Sequence, residues 1–242
     1  MVFPGEKEFV SANSRPRENE LVLASSGRAG CNDGCISMLR VGLTGGIATG
    51  KSTVSRMFVE CGMHLIDADL LAREAVAPGQ PALREIVASF GPGTLAADGT
   101  LNRDRLAGIV FKDSTQRARL EAIIHPYVFA QEERRCLEIG EKDPRAVVLF
   151  DAALLIETGA YKNKDRVIVV TADEQTQLAR LTARDFLTEP EARERVAAQM
   201  PLSDKIKVAD YVIDGTLPLE KLRQEVSRIY KELKHFAQSP LV

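Results

Sequence analysis

The chain has 242 residues, and its hydrophobic fraction of 45% is enough for a packed core in one or two domains. A net charge of −2, the lack of a basic run and an aromatic content of only 5% argue against nucleic-acid binding. Apolar stretches are too short to cross a bilayer, so we expect neither a nucleic-acid nor a membrane partner.

Residues 1–37 differ from the rest, because they are rich in small and polar residues and show no sustained hydrophobic period. They lack the basic-then-apolar order of a secretory signal, so we predict a disordered extension with Met38 as the functional start. The cysteines include one close pair, Cys31 and Cys35, whereas zinc sites usually show two. We therefore expect reduced thiols and a cytoplasmic protein.

The first predicted strand, 40–43, leads into a G-x4-G-K-[ST] segment and a predicted helix, 52–61. Glycines in this setting let backbone N–H groups turn toward a phosphate, and the helix N-terminus adds its positive dipole. Lys51 can then reach the β- and γ-phosphates, while the Ser52 hydroxyl can ligate Mg²⁺. The alternative, a turn with a solvated lysine, does not explain the flanking strand and helix. The predicted triphosphate site comprises Gly45, Gly46, Ile47, Ala48, Thr49, Gly50, Lys51, Ser52 and Thr53.

The second predicted strand, 64–66, is followed by Asp67 and Asp69. Ligands bind beyond the carboxyl ends of parallel strands, and residues two apart in an extended segment point the same way. One of these carboxylates can therefore orient an attacking hydroxyl or accept its proton. The alternative is that Asp69 only caps a helix beginning at Leu70.

About eighty residues separate this strand from the next one, 146–150, and their pattern is helical. Because a plain crossover is much shorter, we predict an inserted helical subdomain at about 70–141 that selects the acceptor. Its predicted helices are 80–90, 103–111, 115–124 and 126–139. The last begins at Pro126, since proline suits the first helical position.

The third strand ends at Asp151, the position of a carboxylate that holds Mg²⁺ in nucleotide sites; the alternative is an aspartate bonded to nearby backbone. Strands at 166–170 and 211–213 complete a predicted parallel sheet of about five strands. Helices are predicted at 174–184, 189–199 and 219–236. Thr188 and Glu191 have the spacing of a capping box.

Arg180 and Arg184 lie four residues apart, and therefore on one face of the predicted helix 174–184. As part of a lid they would close over the phosphates and neutralise developing charge. The alternative is a solvated face on which they pair with Asp185 or Glu174.

Two classes of nucleotide-binding protein do not fit the chain. In Asn163-Lys164-Asp165 the aspartate comes one place too early for the N-K-x-D of a GTPase, and an L-S-G-G-Q-like transporter signature is absent. By elimination the loop most resembles that of small-molecule kinases.

The motifs together resemble those of the dephospho-CoA kinase family. Besides the loop and Asp67-Ala68-Asp69, the similar segments are Asp98-Gly99-Thr100-Leu101-Asn102-Arg103, His125-Pro126, Asp151 to Glu157, Arg180 to Arg184, Gln199 with Lys205, and Ala209 to Asp214. Two positions depart from the pattern: Ala153 replaces a proline, and Asp214 replaces an asparagine. The second change exchanges a hydrogen-bond donor for an acceptor, which bears on selectivity for the adenine of ATP.

The resemblance implies a three-layer α/β P-loop kinase fold over residues 38–236, with the helical insert, a helical lid at about 184–205 and a tail at 237–242. It implies transfer of the γ-phosphoryl of ATP, with Mg²⁺, to the 3′-hydroxyl of dephospho-CoA, the last step of coenzyme A biosynthesis. In that reaction Asp69 would face the hydroxyl and Asp67 would support it. Arg73, Arg103 and His125 would line the acceptor pocket. The alternatives are a salt bridge on its own helix for Arg73, a solvated position at a helix start for Arg103 and a helix-entry turn for His125.

Two other functions remain open from the sequence. The first is a kinase of the same architecture that acts on a nucleoside, nucleotide or shikimate-like alcohol. The second is a nucleotide-sensing module without catalysis, although such a module needs no acceptor-side carboxylate. We expect a monomer.

Overall fold

The computed structural model describes residues 38–111 and 113–238. The predicted extension 1–37, with Cys31 and Cys35, lies outside the described residues, as do 239–242. The strands are β1 (Leu39–Gly45), β2 (His64–Asp67), β3 (Val147–Asp151), β4 (Arg166–Thr171) and β5 (Tyr211–Asp214). They form one sheet in the order β2-β3-β1-β4-β5, and every neighbouring pair is parallel. The predicted parallel sheet is confirmed.

Helices connect the strands, and most of them lie where the sequence predicts a helix. They are α1 (Lys51–Cys61), α2 (Ala68–Ala75), α3 (Pro81–Phe90), α4 (Arg103–Val110), α5 (Ser114–Lys142), α6 (Glu174–Asp185), α7 (Glu189–Ala197), α8 (Leu202–Ile206) and α9 (Leu219–Gln238).

The sheet is covered on both faces, which makes the fold three-layered. Side chains alternate along each strand, so Val147 and Leu149 pack with α1 and α9 while Val148 and Phe150 pack with α2 and α5. All five residues of β3 are buried, as expected for a central strand between two helical layers. Because β1 lies at the centre of the sheet, the loop that follows it lies at the middle of the carboxyl edge, where ligands bind in such folds.

The helical insert is present between β2 and β3 and has a small core of its own. Val76, Ile86 and Leu106 are buried there, from three different parts of the insert. The predicted break at Pro126 is wrong, because α5 runs without interruption from Ser114 to Lys142. A proline inside a helix loses one backbone hydrogen bond. Packing compensates, since Ile124 contacts the core of the insert and Val128 contacts the core of the sheet.

Buried charges tie α5 to the sheet. Lys164, beside β4, forms a 2.5 Å ion pair with Glu132 of α5, and the two side chains are 2% and 7% exposed. The ammonium group also lies 4.3 Å from the centre of the Phe150 ring. These contacts of Lys164 therefore anchor α5, and with it the insert, to the sheet. Nearby on α5, burial raises the pKa of the Cys136 thiol to about 11, so this cysteine is a neutral core residue.

In the C-terminal half, the structure defines the start of α7 and the end of α9. The capping box before α7 is confirmed, since the Thr188 backbone N–H donates to the Glu191 carboxylate at 2.8 Å. Helix α9 continues to Gln238, and Ala237 is only 3% exposed, so the packed domain extends beyond the expected limit at 236. Within the described residues, no helix has both the length and the apolar character to span a membrane.

Candidate active site

The phosphate loop connects β1 to α1, where the sequence predicts it. Gly50 precedes α1 with a φ of 96°, a left-handed conformation that glycine adopts without steric cost. Ala48 also has a positive φ, 58°, which is uncommon for a residue with a side chain. The buried Thr49 donates its hydroxyl hydrogen to the Gly46 carbonyl oxygen at 2.9 Å. The result is a bent, internally bonded loop at a helix N-terminus, an arrangement suited to phosphate.

The loop packs directly against the turn that follows β5. A Cβ atom added to Gly215 in this turn would collide with the carbonyl oxygen of Thr49, so the close approach requires glycine. Asp214, just before it, accepts hydrogen bonds from the backbone N–H and hydroxyl of Thr216 at 2.8 and 2.7 Å. The carboxylate that departs from the family pattern therefore closes the turn beside the loop.

Lys51 and Asp151 form an ion pair in the centre of the site. Their side chains are 19% and 10% exposed, so the pair is largely shielded from water. Asp151 is the last residue of β3 and stands beside Leu43 of β1 and Asp67 of β2 in the strand register. The phosphate-loop lysine and the strand-ending carboxylate are thus brought together across 100 residues of sequence.

The structure gives Asp67 and Asp69 different roles. Asp67 is the N-cap of α2, since its Oδ1 accepts the backbone N–H groups of Asp69 and Leu70 at 2.9 and 3.0 Å. The expectation that Asp69 points the same way as Asp67 in an extended segment is wrong, because α2 already begins at Ala68. The capping alternative for Asp69 is also wrong. Asp69 lies in the first turn of α2 with an exposed side chain, just beyond the carboxyl end of β2.

Three side chains from the C-terminal half hold the backbone of the loop tip. Arg180 donates to the carbonyl oxygens of Ala48 and Gly215, at 3.2 and 2.8 Å. Gln177 donates to the carbonyl oxygen of Ile47 at 2.7 Å, and the Ile47 backbone N–H donates to Gln199 Oε1 at 2.6 Å.

The sequence indicated Arg180 and noted Gln199, but it missed Gln177. The available signal was a glutamine four residues before Leu181, which places it on the buried stripe of α6. A polar side chain on such a stripe needs a partner, and here the partner is the loop.

Arg184 points to a different partner. Its guanidinium forms a double hydrogen bond with Asp185, at 2.7 and 3.0 Å, and its side chain is 61% exposed. The hydrogen bond from Arg184 lowers the pKa of the Asp185 carboxyl, which therefore stays charged. The two predicted lid arginines are thus separated: Arg180 contacts the phosphate loop, and Arg184 pairs on the helix surface.

The turn after β3 is bonded from two sides. The Ala153 carbonyl oxygen accepts from the Thr44 hydroxyl and from Lys205 Nζ, each at 3.0 Å. Lys205 is fully buried and also pairs with Glu157 at 2.7 Å. These bonds hold the turn at the position where the family pattern has a proline, so the loss of that proline leaves it fixed.

The predicted acceptor residues come from three different helices of the insert. Arg73 lies in the last turn of α2 and Arg103 at the start of α4, and both are exposed. Among the described residues, neither guanidinium group has a hydrogen bond or an ion pair. His125 is partly buried within α5, with its ring 5.9 Å from that of Phe129. The structure does not bring these three residues into contact with one another.

The oxygen atoms near the loop suit a hard cation. Ser52 is exposed in the first turn of α1, and Asp67 and Asp151 end neighbouring strands. Among the described residues, no group of three or more His, Cys, Asp and Glu side chains could enclose a metal. Mg²⁺ needs no such cage, because it keeps several waters and commonly binds one or two carboxylates together with substrate phosphates.

Comparison with known proteins agrees with this geometry. A family model described as dephospho-CoA kinase matches residues 39–219. The dephospho-CoA kinase of Geobacter metallireducens is 49% identical over 195 residues, which are 81% of this chain and 96% of that protein. That of Streptomyces avermitilis is 47% identical over 203 residues, 84% of this chain and 98% of that one.

Solved structures are similar over the same region. A Thermus thermophilus protein superposes with a TM-score of 0.69 and 31% identity, covering 81% of this chain and 98% of its own. The dephospho-CoA kinase from Campylobacter jejuni has a TM-score of 0.53 and 25% identity, covering 80% of this chain and 96% of its own. The family model spans all five strands, the phosphate loop, the insert and helices α6 to α8. The chain therefore belongs to the dephospho-CoA kinase family.

Proposed function

We propose that the protein transfers the γ-phosphoryl group of ATP to the 3′-hydroxyl of dephospho-CoA, giving coenzyme A and ADP. The observation that carries this proposal is that Lys51, Asp151 and Asp67 lie at one edge of the sheet, with Asp69 in the first turn of α2 just beyond that edge. A donor loop and an acceptor-side carboxylate then face the same crevice, as a kinase requires.

The donor half of the site binds by charge and backbone donors. N–H groups of the loop from Gly46 to Ser52 surround the phosphates, and Lys51 neutralises the β- and γ-phosphates. Ser52 and Asp151 would hold Mg²⁺, with Asp67 close enough in the register to bind one of its waters. When bound, the cation would neutralise negative charge on the phosphates.

Asp69 acts on the acceptor. It orients the 3′-hydroxyl and accepts its proton as the hydroxyl oxygen bonds to the γ-phosphorus. The bond from that phosphorus to the β,γ-bridging oxygen breaks, and ADP leaves with this oxygen. Arg180, fixed on the loop, and Arg184, which must leave Asp185 to reach the phosphates, neutralise the developing charge.

Arg73, Arg103 and His125 line the acceptor pocket formed by the insert. Two exposed arginines on separate helices suit a long ligand that carries a negatively charged diphosphate. A histidine beside a phenylalanine offers an apolar wall. We further propose that the protein is cytoplasmic and monomeric. Size-exclusion chromatography with light scattering measures the molar mass and so tests the monomer.

One experiment tests the proposed reaction. The purified protein is incubated with Mg-ATP and dephospho-CoA, and both ADP release and the mass of the product are followed. We expect ADP release that depends on dephospho-CoA and a product heavier by one phosphoryl group. Parallel reactions contain a nucleoside monophosphate or shikimate. Faster turnover with either of these would replace the proposed acceptor, and ATP binding without any turnover would indicate a nucleotide-sensing module.

A further inference from the structure

The backbone N–H and the carbonyl of Ile47, at the tip of the phosphate loop, are each hydrogen-bonded to a glutamine side chain. Gln177 of α6 donates from Nε2 to the Ile47 carbonyl oxygen at 2.7 Å. The Ile47 N–H donates to Oε1 of Gln199, which follows α7, at 2.6 Å. The orientation of both amides is determined by their partners, because a carbonyl needs a donor and an N–H needs an acceptor.

The surroundings show that this contact is built into the loop. Gln177 is only 4% exposed, and a Cβ atom added to Gly46 would lie 2.7 Å from its Nε2. Glycine at this position therefore leaves room for the amide as well as for a phosphate. The next residue, Ala48, has a positive φ that its side chain disfavours, so the tip depends on outside contacts for its shape.

We propose that Gln177 and Gln199 are positioning residues for the ATP donor: they hold the tip of the phosphate loop in its binding shape and couple helices α6 and α7 to it. Neither side chain needs to touch the nucleotide. They order the two peptide groups on either side of Ile47 before binding, so that the neighbouring N–H groups can bind the phosphates without a further loss of backbone freedom. The inference rests on the proposed use of ATP and is independent of the identity of the acceptor.

The test compares Gln199→Met, which removes the acceptor of the Ile47 N–H, with Gln199→Glu, which keeps an oxygen at the same place. Calorimetry with Mg-ATP gives the dissociation constant. We expect a rise of about tenfold for Gln199→Met, the effect of losing one hydrogen bond. Gln199→Glu should bind at least threefold tighter than Gln199→Met. Its added negative charge opposes phosphate binding, so such a recovery comes from the restored hydrogen bond.

Controls separate positioning from folding. Gln177→Met should weaken Mg-ATP binding like Gln199→Met, whereas Gln175→Met, an exposed change on the same helix, should leave it unchanged. All variants should keep the dephospho-CoA dissociation constant within about twofold of the wild type, because general damage to the fold would affect both ligands. If a variant is less stable than the wild type, its Mg-ATP binding is compared through the rise in Tm that Mg-ATP causes.

Three outcomes would overturn the inference: unchanged Mg-ATP binding by Gln199→Met, no recovery in Gln199→Glu, or equal losses for both ligands. The proposed reaction fails separately. If wild-type protein does not phosphorylate dephospho-CoA but Gln199→Met still loses affinity for Mg-ATP, the positioning role stands and the acceptor is wrong.

Discussion

The two halves of the proposed site differ in how their side chains are held. On the donor side, the phosphate loop is hydrogen-bonded to α6 and to Gln199 after α7, it packs against the turn after β5, and Lys51 is already paired with Asp151. On the acceptor side, Asp69, Arg73 and Arg103 are exposed on the surfaces of helices. Because the phosphate groups are the same in every nucleotide, a rigid loop can bind them. A long acceptor is instead bound by exposed side chains that stay conformationally free until it binds.

The largest effect is expected on the acceptor side. Asp69→Asn keeps the size of the side chain but removes the charge that accepts the proton, so kcat should fall by about 10²–10⁴-fold. The dissociation constant for Mg-ATP should not change, because the donor loop is untouched. Steady-state kinetics and calorimetry measure the two effects. Asp104→Asn, an exposed change in the first turn of α4, is the control. Equal losses in kcat and in ATP affinity would remove Asp69 from the acceptor role.

The second prediction concerns the buried ion pair that attaches α5 of the insert to the sheet. Lys164→Met leaves the Glu132 carboxylate buried without its partner, so the free energy of unfolding should fall by about 3–5 kcal/mol. Combining it with Glu132→Leu should recover part of this loss, since no buried charge remains. Urea denaturation measures both variants. The control Arg134→Met breaks an exposed pair with Glu138 and should cost less than about 1 kcal/mol. Similar losses from the two single variants would show that the buried pair does not anchor α5.

The third prediction concerns the fixed donor side. Gly215→Ala adds a methyl group against the Thr49 carbonyl and must displace the phosphate loop, so Mg-ATP affinity should fall by about 5–150-fold, matching an overpacking cost of about 1–3 kcal/mol. The control Gly140→Ala has no atom within 4 Å of the new methyl group and lies inside α5, so it should bind Mg-ATP normally. If Gly215→Ala binds as tightly as the wild type, the donor loop is less fixed than its contacts indicate.

The smallest effect is expected for the exposed arginines. Arg73→Ala or Arg103→Ala should raise KM for dephospho-CoA by about two- to fivefold, the range of one exposed ion pair of up to about 1 kcal/mol. The change should shrink in high salt, because exposed charges are screened. Arg223→Ala, which removes an exposed arginine paired with Glu60 far from the insert, is the control. A change in KM for ATP instead would place these residues on the donor side.

Local patterns were enough to predict much of the molecule. The strands, the phosphate loop and the capping box before α7 depend on residues within a few positions of one another, and their physics is short-range. The insert followed from a connection too long for a simple crossover. Local reasoning failed at Pro126, where packing of α5 on two cores outweighs the loss of one backbone hydrogen bond.

By itself the sequence determined that a phosphate loop stands between a strand and a helix, and that carboxylates follow two further strands. Only the tertiary structure decided which side chain meets which. Lys51 meets Asp151 across 100 residues, and Gln177 meets Ile47 across 130. It also decided that Asp67 caps α2 while Asp69 stays exposed, and that Arg180 holds the loop while Arg184 does not. Strand order and helix packing create these long-range contacts, and neither the spacing nor the residue type encodes their geometry.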